Sequence, residues 1–151
     1  MTAKDLKISF TVEETPDNVF AAINNVRGWW SKGLKGASDR LGEEFFYKHG
    51  DLHESTQKVT ELVPGKRVAW HVTKSKLTFV DTQEEWDGTD VIFDIEPVKQ
   101  MTRVTMTHVG LTSDKQCFEA CSGGWGFYVG DSLKSLIESG KGEPDPKSVA
   151  S

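Results

Sequence analysis

DVIFDIEPVKQMTRVTMTHV, residues 90–109, is the stretch that decides the fold. Apolar and polar side chains alternate along Asp90–Val98 and again along Thr102–Val109, and a period of two is typical of half-buried β-strands. The short connection between the two segments predicts that they pair antiparallel. One face of the second strand carries Val104, Met106 and His108. We therefore expect His108 to point into the protein interior.

The same period of two extends back from this hairpin to about Arg40. It predicts three further strands, Leu41–Lys48, Glu54–Leu62 and Arg67–Lys74. Turn residues at 49–51 and 64–66 separate them, which favours an antiparallel meander. Near the N-terminus a further strand is marked by the alternating residues Leu6, Ile8, Phe10 and Val12. The pair Asp87-Gly88 interrupts an apolar run, and the pattern leaves both a bulge and a hairpin turn open there.

Two short helices are predicted directly after the first strand. Thr15 is a good N-cap residue, and Pro16 suits the first helical position because its missing N–H has no partner there in any case. Gly28 ends this helix, and we place Trp29-Trp30 on a second short helix or turn.

A long helix closes the sequence. After Asp114, which we expect as its cap, apolar residues recur at spacings of three and four until about Ser139. They are Phe118, Cys121, Trp125, Val129, Leu133, Leu136 and Ile137. The order of elements predicts an α+β fold with six or seven antiparallel strands and one long C-terminal helix packed on the sheet. Residues 1–143 are expected to form a single domain and residues 144–151 a mobile tail.

Composition excludes several classes of protein. The chain has 151 residues, of which 36% are apolar and 27% charged, and its net charge is −5. An acidic chain disfavours nucleic acids and anionic membranes as partners, because phosphates bind cationic surfaces. No stretch approaches the ~18 apolar residues of a membrane helix, so membrane insertion is not expected. The only two cysteines, Cys117 and Cys121, fit no disulfide framework or zinc motif, which favours a reducing, cytoplasmic location.

Three segments together resemble a known superfamily. The first is residues 85–95, EWDGTDVIFDI; the second is residues 102–111, TRVTMTHVGL; the third runs from Gly124-Trp125 to Gly140-Lys141-Gly142 and includes residues 132–137, SLKSLI. Their ordered set, within about residues 5 to 143, resembles the START-like (SRPBCC) superfamily and, within it, homologues of the activator of heat-shock-protein-90 ATPase.

The resemblance implies a helix-grip fold, in which a curved antiparallel sheet wraps around a C-terminal helix and an apolar cavity. The superfamily includes lipid and hormone carriers, aromatase/cyclase enzymes, ring-hydroxylase subunits and co-chaperone domains, so the fold does not define the activity. The eukaryotic co-chaperones that name the branch also have a separate N-terminal domain, which we do not expect within these 151 residues.

Within such a fold we expect one set of residues to line the cavity. These residues are Phe45, Tyr47, Trp70, Val72, Phe93, Ile95, Met106, His108, Phe118, Cys121, Trp125 and Val129. We expect Trp29 and Trp30 at an exposed cavity mouth. His108 is open to two interpretations, a group that orients a ligand or a core histidine held by structural partners. Four glycines in eight residues, 123–130, indicate either a close approach of helix and sheet or room for a ligand.

Catalytic and metal chemistry lack a matching pattern. His49 and His53 face each other across a predicted hairpin but have no third ligand, so neither a metal nor a cofactor is expected. Cys117 and Cys121 share a helix face with aromatic residues, which favours buried, unreactive thiols. The carboxylates Glu43, Glu44, Glu84 and Glu85 are expected in solvent.

The sequence thus predicts a non-enzymatic protein that binds a small apolar or amphipathic molecule between its sheet and its C-terminal helix. Two alternatives remain, a co-chaperone-like module that binds a chaperone or another protein, and a small cyclase- or hydrolase-like enzyme that uses His108. A cavity above ~300 Å³ favours the carrier, an exposed apolar patch favours the docking module, and a carboxylate beside His108 favours the enzyme.

Overall fold

A seven-stranded antiparallel sheet is the central element of the computed structural model, which describes residues 5–49, 53–78, 80–81 and 83–144. Its strands are β1 (Asp5–Val12), β2 (Lys35–Gly36), β3 (Glu44–His49), β4 (His53–Val63), β5 (Arg67–Leu77), β6 (Asp90–Val98) and β7 (Met101–Thr112). The spatial order is β1-β7-β6-β5-β4-β3-β2, so all neighbours except β1 and β7 are also neighbours in sequence. The predicted α+β fold with a meander is confirmed.

The alternation of side chains positions the inner face of the sheet. Met106 on β7 lies opposite Phe93 on β6, and His108 lies opposite Val91; all four are fully buried. Directly opposite residues of paired strands face the same side, so this row defines the inner face. Asp87-Gly88 lies in the loop between β5 and β6, where the Gly88 N–H donates to the carbonyl oxygen of Val72.

The two short helices after β1 are α1 (Pro16–Asn24) and α2 (Val26–Trp29). As predicted, Thr15 caps α1, and its hydroxyl accepts a hydrogen bond from the backbone N–H of Asn18 at 3.2 Å. The expectation that Trp29 and Trp30 are exposed is wrong: their side chains are 0% and 2% exposed. The indole N–H of Trp29 donates to the carbonyl oxygen of Ile23, which draws the ring inward.

The C-terminal helix runs from Phe118 to Ser139 in three parts. They are α3 (Phe118–Phe127), a π-helical segment (Tyr128–Leu133) and α4 (Lys134–Ser139). The predicted start at Asp114 is wrong, because its carboxylate accepts a hydrogen bond from Thr112 and caps no helix. Instead Glu85, from the loop before β6, accepts hydrogen bonds from the backbone N–H groups of Gln116 and Cys117, both at 2.9 Å.

This end of the helix shows why Glu85 is not simply a solvated carboxylate, as its sequence context suggested. It satisfies amide groups at the helix start that have no partner within the helix, and its negative charge is favourable at a helix N-terminus. The contact spans 31 and 32 residues of sequence, so it attaches the loop between β5 and β6 to the start of α3.

The chain after α4 returns to α2. The Ser132 hydroxyl donates to the carbonyl oxygen of Trp29 at 2.7 Å and accepts a hydrogen bond from the backbone N–H of Glu143 at 2.7 Å. A side chain at Gly142 would overlap the backbone oxygen of Gly28, so this approach requires glycine. Of the predicted tail 144–151, residues 145–151 lie outside the described residues.

Candidate ligand site

A cavity lies between α3 and one end of the inner sheet face. It is lined by Trp30, Tyr47, His53, Trp86, Cys121, Gly124, Trp125 and Tyr128. Its volume is about 20 Å³, which is enough for one water molecule. The inner surface consists mostly of aromatic rings contributed by the α2 end, β3, β4, the loop before β6 and α3. Five separate segments therefore converge on one small aromatic cage.

The rings of the cage contact one another in a defined arrangement. Trp86 and Trp125 are nearly parallel, with an interplanar angle of 10° and centroids 5.8 Å apart. Trp30 stacks on Tyr47 with centroids 4.5 Å apart, and His53 meets Trp86 edge to face at 4.4 Å. Such offset and edge-to-face geometries are the favourable ones for aromatic pairs.

His108 connects two walls of this cage through a directional chain of hydrogen bonds. The indole N–H of Trp125 donates to His108 Nδ1 at 3.1 Å, and Thr89 Oγ1 lies 2.8 Å from His108 Nε2. The Thr89 hydroxyl donates its own proton to the carbonyl oxygen of Trp86 at 2.6 Å. Since the indole only donates, His108 is neutral with its proton on Nε2. The chain thus joins α3 to the loop that carries Trp86.

The electrostatics of the site support this neutral state. Burial, with a smaller contribution from nearby His53, lowers the pKa of His108 to about 3. A protonated imidazole has no lone pair with which to accept from Trp125, so protonation breaks the chain. Of the two interpretations of His108, the structure shows a core histidine held by structural partners, and these partners include no carboxylate.

The two thiols are buried and free, as expected. Cys121 lines the cavity, and Cys117 lies one helical turn earlier. The hydrogen bond to Cys121, together with burial, raises the pKa of the Cys117 thiol far above its ordinary value. A thiol held in its protonated form is a poor nucleophile.

The helical wall of the cavity is rich in glycine without a packing reason. A Cβ atom added at Gly123 or Gly126 would meet no other atom within 4 Å, and one at Gly130 only a methyl group of Ile8 at 4.0 Å. Close approach of helix and sheet therefore does not explain these three glycines. Each lowers helix stability by up to ~1 kcal/mol relative to alanine. The π-helical segment follows directly, and π-bulges within α-helices are frequent at functional sites.

The structure divides the predicted cavity residues into two groups. Tyr47, Cys121 and Trp125 line the cavity, and Trp30 joins them as a buried wall rather than as part of an exposed mouth. His108 holds Trp125 from behind. The others are placed in the surrounding core, with Phe118 only partly buried: Phe45, Trp70, Val72, Phe93, Ile95, Met106, Phe118, Val129 and Trp29.

Sequence reasoning missed four of the residues that line the cavity, which are His53, Trp86, Gly124 and Tyr128. Trp86 lies in a loop with no period of two, although it stands in one of the segments that carry the family resemblance. His53 begins β4, pairs with His49 across the hairpin as predicted, and turns inward against Tyr47 and Trp86. It shares a strand face with the buried residues Ser55, Gln57 and Val59, of which only Val59 is apolar, so the sequence carried little signal for it.

Comparison with known proteins shows the family of the chain. The family model described as activator of Hsp90 ATPase homolog 1-like protein matches residues 13–138. The chain belongs to this family. The suspected branch of the START-like superfamily is therefore confirmed. No curated protein is similar enough in sequence to match the chain.

Solved structures confirm the helix-grip architecture of this family member. The Aha1 dimer from Colwellia psychrerythraea has 23% identity and a TM-score of 0.74, covering 94% of this chain and 100% of that one. DynU16, from the dynemicin biosynthetic locus, has 17% identity and a TM-score of 0.71, covering 93% of this chain and 49% of that one. CalU16 from Micromonospora echinospora has 16% identity and a TM-score of 0.64, covering 91% of this chain and 77% of that one. At such identities the similarity establishes a shared fold.

Three other features of the described part of the chain bear on function. None of its helices is long and apolar enough to cross a membrane. Its exposed large apolar side chains are Leu41, Val63 and Val109, which lie on three separate segments. Single exposed apolar residues are normal on a protein surface, so these three do not indicate a docking patch. Within the described ranges, no three His, Cys, Asp or Glu side chains are placed to hold a metal ion.

Proposed function

We propose that this protein binds a small apolar ligand, without converting it, in the aromatic cage between α3 and the sheet. The observation that carries the proposal is the combination of a cavity with aromatic walls and a helix over it that contains glycines with no packing role. Apolar rings supply binding free energy at roughly 25 cal/mol per Å² of buried surface.

Ligand entry requires this helix to move. The cavity of about 20 Å³ is far smaller than the ~300 Å³ of a typical small-molecule pocket, so the closed structure does not meet the cavity size that was expected of a carrier. The wall opposite α3 is a hydrogen-bonded sheet, which resists deformation, whereas Gly123, Gly124 and Gly126 lower the stability of α3. We therefore place the opening at α3, and the neutral His108–Trp125 hydrogen bond is the contact that closes it.

The proposal also includes the cellular compartment in which the protein acts. The free and buried thiols Cys117 and Cys121 support a reducing compartment such as the cytoplasm. Both ring nitrogens of His108 are engaged, by Trp125 and Thr89, and this supports binding of the ligand without chemical conversion. Recovery of a chemically altered ligand after incubation would instead support the cyclase- or hydrolase-like alternative.

Binding of N-phenyl-1-naphthylamine, an uncharged fluorescent probe, tests the carrier function. We expect a Kd in the micromolar range at best and a change in indole emission, because five aromatic side chains line the cavity. Mass spectrometry of the purified protein should identify a co-purified apolar molecule. Absence of both probe binding and a co-purified molecule would show that the carrier proposal is wrong.

A pair of substitutions tests the opening of the wall. Gly123→Ala with Gly126→Ala should weaken probe binding by about four- to thirtyfold, since each alanine stabilises the closed helix by about 0.4–1 kcal/mol. Gly33→Ala is the matched control, because its added Cβ also lies in open space but outside the helix, with Ser31 Oγ as nearest atom at 3.8 Å. Equal Kd values for the unchanged protein, the double variant and Gly33→Ala would mean that α3 does not have to loosen for the probe to enter.

A second candidate, a co-chaperone-like module, is favoured by the family match over residues 13–138. The family is named for activation of the Hsp90 ATPase. ATP hydrolysis by purified Hsp90, measured with and without this chain, distinguishes the two candidates. Acceleration that survives filling of the cage would support the co-chaperone function over ligand binding.

A further inference from the structure

We infer that the ligand of the aromatic cage is an uncharged planar ring system with a hydrogen-bond acceptor, and that the indole N–H of Trp86 binds this acceptor. This inference rests on the proposed function and specifies its ligand chemistry. It depends on three features of the cage, which are the unpaired Trp86 donor, the absence of charged side chains in the lining and the parallel indole rings.

The Trp86 indole N–H is the first feature. Trp86 lines the cavity and is 3% exposed, and its Nε1 atom is buried without a hydrogen-bond partner in the described part of the protein. A buried donor without an acceptor is unfavourable, because the group has lost its hydrogen bonds to water. A ligand that supplies an acceptor removes this penalty when it binds. Trp125, by contrast, already donates to His108.

The Trp86 ring is also held in place. Its backbone carbonyl oxygen accepts hydrogen bonds from the hydroxyl and the backbone N–H of Thr89, at 2.6 and 3.1 Å. The ring meets His53 and His108 edge to face, with centroids 4.4 and 4.7 Å away. The donor is therefore oriented before the ligand arrives, which lowers the entropy lost on binding.

The charge and shape of the lining define the rest of the ligand. Asp, Glu, Lys and Arg are all missing from the residues that line the cavity. A charged ligand would lose its hydration there without gaining a partner of opposite charge. Trp86 and Trp125 are nearly parallel with centroids 5.8 Å apart, which leaves no room for another ring between them. A flat molecule that extends this stack once α3 has moved would match the two ring planes better than a branched one.

Three naphthalene probes test this inference at pH 8, where histidines of ordinary pKa are neutral. They are 2-acetylnaphthalene, the nearly isosteric 2-ethylnaphthalene, which lacks the acceptor, and 2-naphthoate, which carries a negative charge. The readout is the ratio of the acetyl to the ethyl dissociation constant in each protein, because the ratio cancels changes in packing.

Trp86→Phe should shift this ratio against the acetyl probe by about three- to tenfold, the range that one neutral hydrogen bond produces. Trp70→Phe is the matched control, since the Trp70 Nε1 atom is also buried without a partner but Trp70 does not line the cavity. Its ratio should equal that of the unchanged protein. The naphthoate should bind more weakly than the acetyl probe.

A measurement on the unchanged protein covers the case in which Trp86→Phe does not fold. The indole N–H proton of Trp86 should move downfield in the NMR spectrum with 2-acetylnaphthalene but not with 2-ethylnaphthalene. An unchanged ratio in Trp86→Phe, an unmoved proton signal or tighter binding of the naphthoate would overturn the inference and leave the carrier function standing. Failure of all three probes to bind would overturn both.

Discussion

Two clusters of tryptophan lie in the same core and are held together differently. At one end Trp29 and Trp70 stack on each other, Phe93 meets both of them edge to face, and all three side chains are completely buried. At the other end Trp86 and Trp125 surround a small cavity and are positioned by the chain of hydrogen bonds through His108. We call the first group the packed cluster, because its rings are held by packing against one another. In the second group, the cage, directional hydrogen bonds also fix the orientation of the rings.

Glycines show the same difference between the two ends. Near the packed cluster, Gly142 allows two backbone segments to touch, because a Cβ there would overlap the backbone oxygen of Gly28, and a Cβ at Gly28 itself would lie 2.6 Å from the side chain of Asn25. Along the cage, Gly123 and Gly126 face open space. Residues of the same kind thus support dense packing in one region and low helix stability in the other. This contrast supports the proposal that a ligand binds in the cage rather than in the packed cluster.

The strongest test of the contrast is Trp29→Ala. Removal of a fully buried aromatic ring that leaves a cavity should lower the free energy of unfolding by about 3–5 kcal/mol, as measured by urea denaturation. Leu41→Ala, at a residue that is 67% exposed, should change it by no more than ~0.5 kcal/mol. A similarly small effect of Trp29→Ala would contradict the packed cluster.

A smaller effect should separate the two indoles of the cage. Trp125→Phe leaves His108 Nδ1 without its donor, whereas Trp86→Phe removes a donor that has no partner. Trp125→Phe should therefore be more destabilising than Trp86→Phe by about 1–3 kcal/mol, the cost of an unsatisfied buried polar group. Equal urea midpoints for the two variants would show that the directional chain contributes no stability.

The pH dependence of stability should come partly from the cage. The folded pKa of His108, about 3, is below its unfolded value near 6.5. Between these values the unfolded chain binds the proton and the folded protein does not, so this contribution is complete above pH 6.5 and is lost as the pH falls below it. The slope should approach about 1.4 kcal/mol per pH unit.

His108→Gln isolates this contribution to the pH dependence. The amide stays neutral, accepts from Trp125 and donates to Thr89, so the variant should lack the extra slope while remaining folded. Stability curves of the two proteins measured from pH 4 to pH 8 should converge toward low pH. Parallel curves would mean that His108 is not buried in its neutral form.

The smallest expected effect is a gain in stability. Gly123→Ala should raise the free energy of unfolding by about 0.4–1 kcal/mol, because the added methyl group meets no atom and the unfolded chain loses freedom. Gly142→Ala should lower it, since its Cβ would overlap the backbone of Gly28. If Gly123→Ala proved destabilising, α3 would not be the weak wall of the cage.

Local patterns were sufficient for most of the fold. Alternation along residues 90–109 and the three-four spacing from Phe118 to Ile137 placed the sheet, the long helix and the inward direction of His108 and Trp125. Such patterns work because one face of a long element must be buried, and its period then appears in the sequence. The Thr15-Pro16 helix start was equally local, since the cap contacts only the next turn.

Only the tertiary structure decided what lies between these elements. The burial of Trp29 and Trp30 was not predictable, because helix α2 has four residues and is too short to define a face. The cap that Glu85 provides to α3 and the place of Trp86 in the cage depend on a loop without a period, brought in from about 30 residues away. The volume of the cavity depends on how five segments meet, and packing at that scale responds to single methylene groups. The sequence therefore determined which residues face inward, and the folded chain determined which of them surround the cavity.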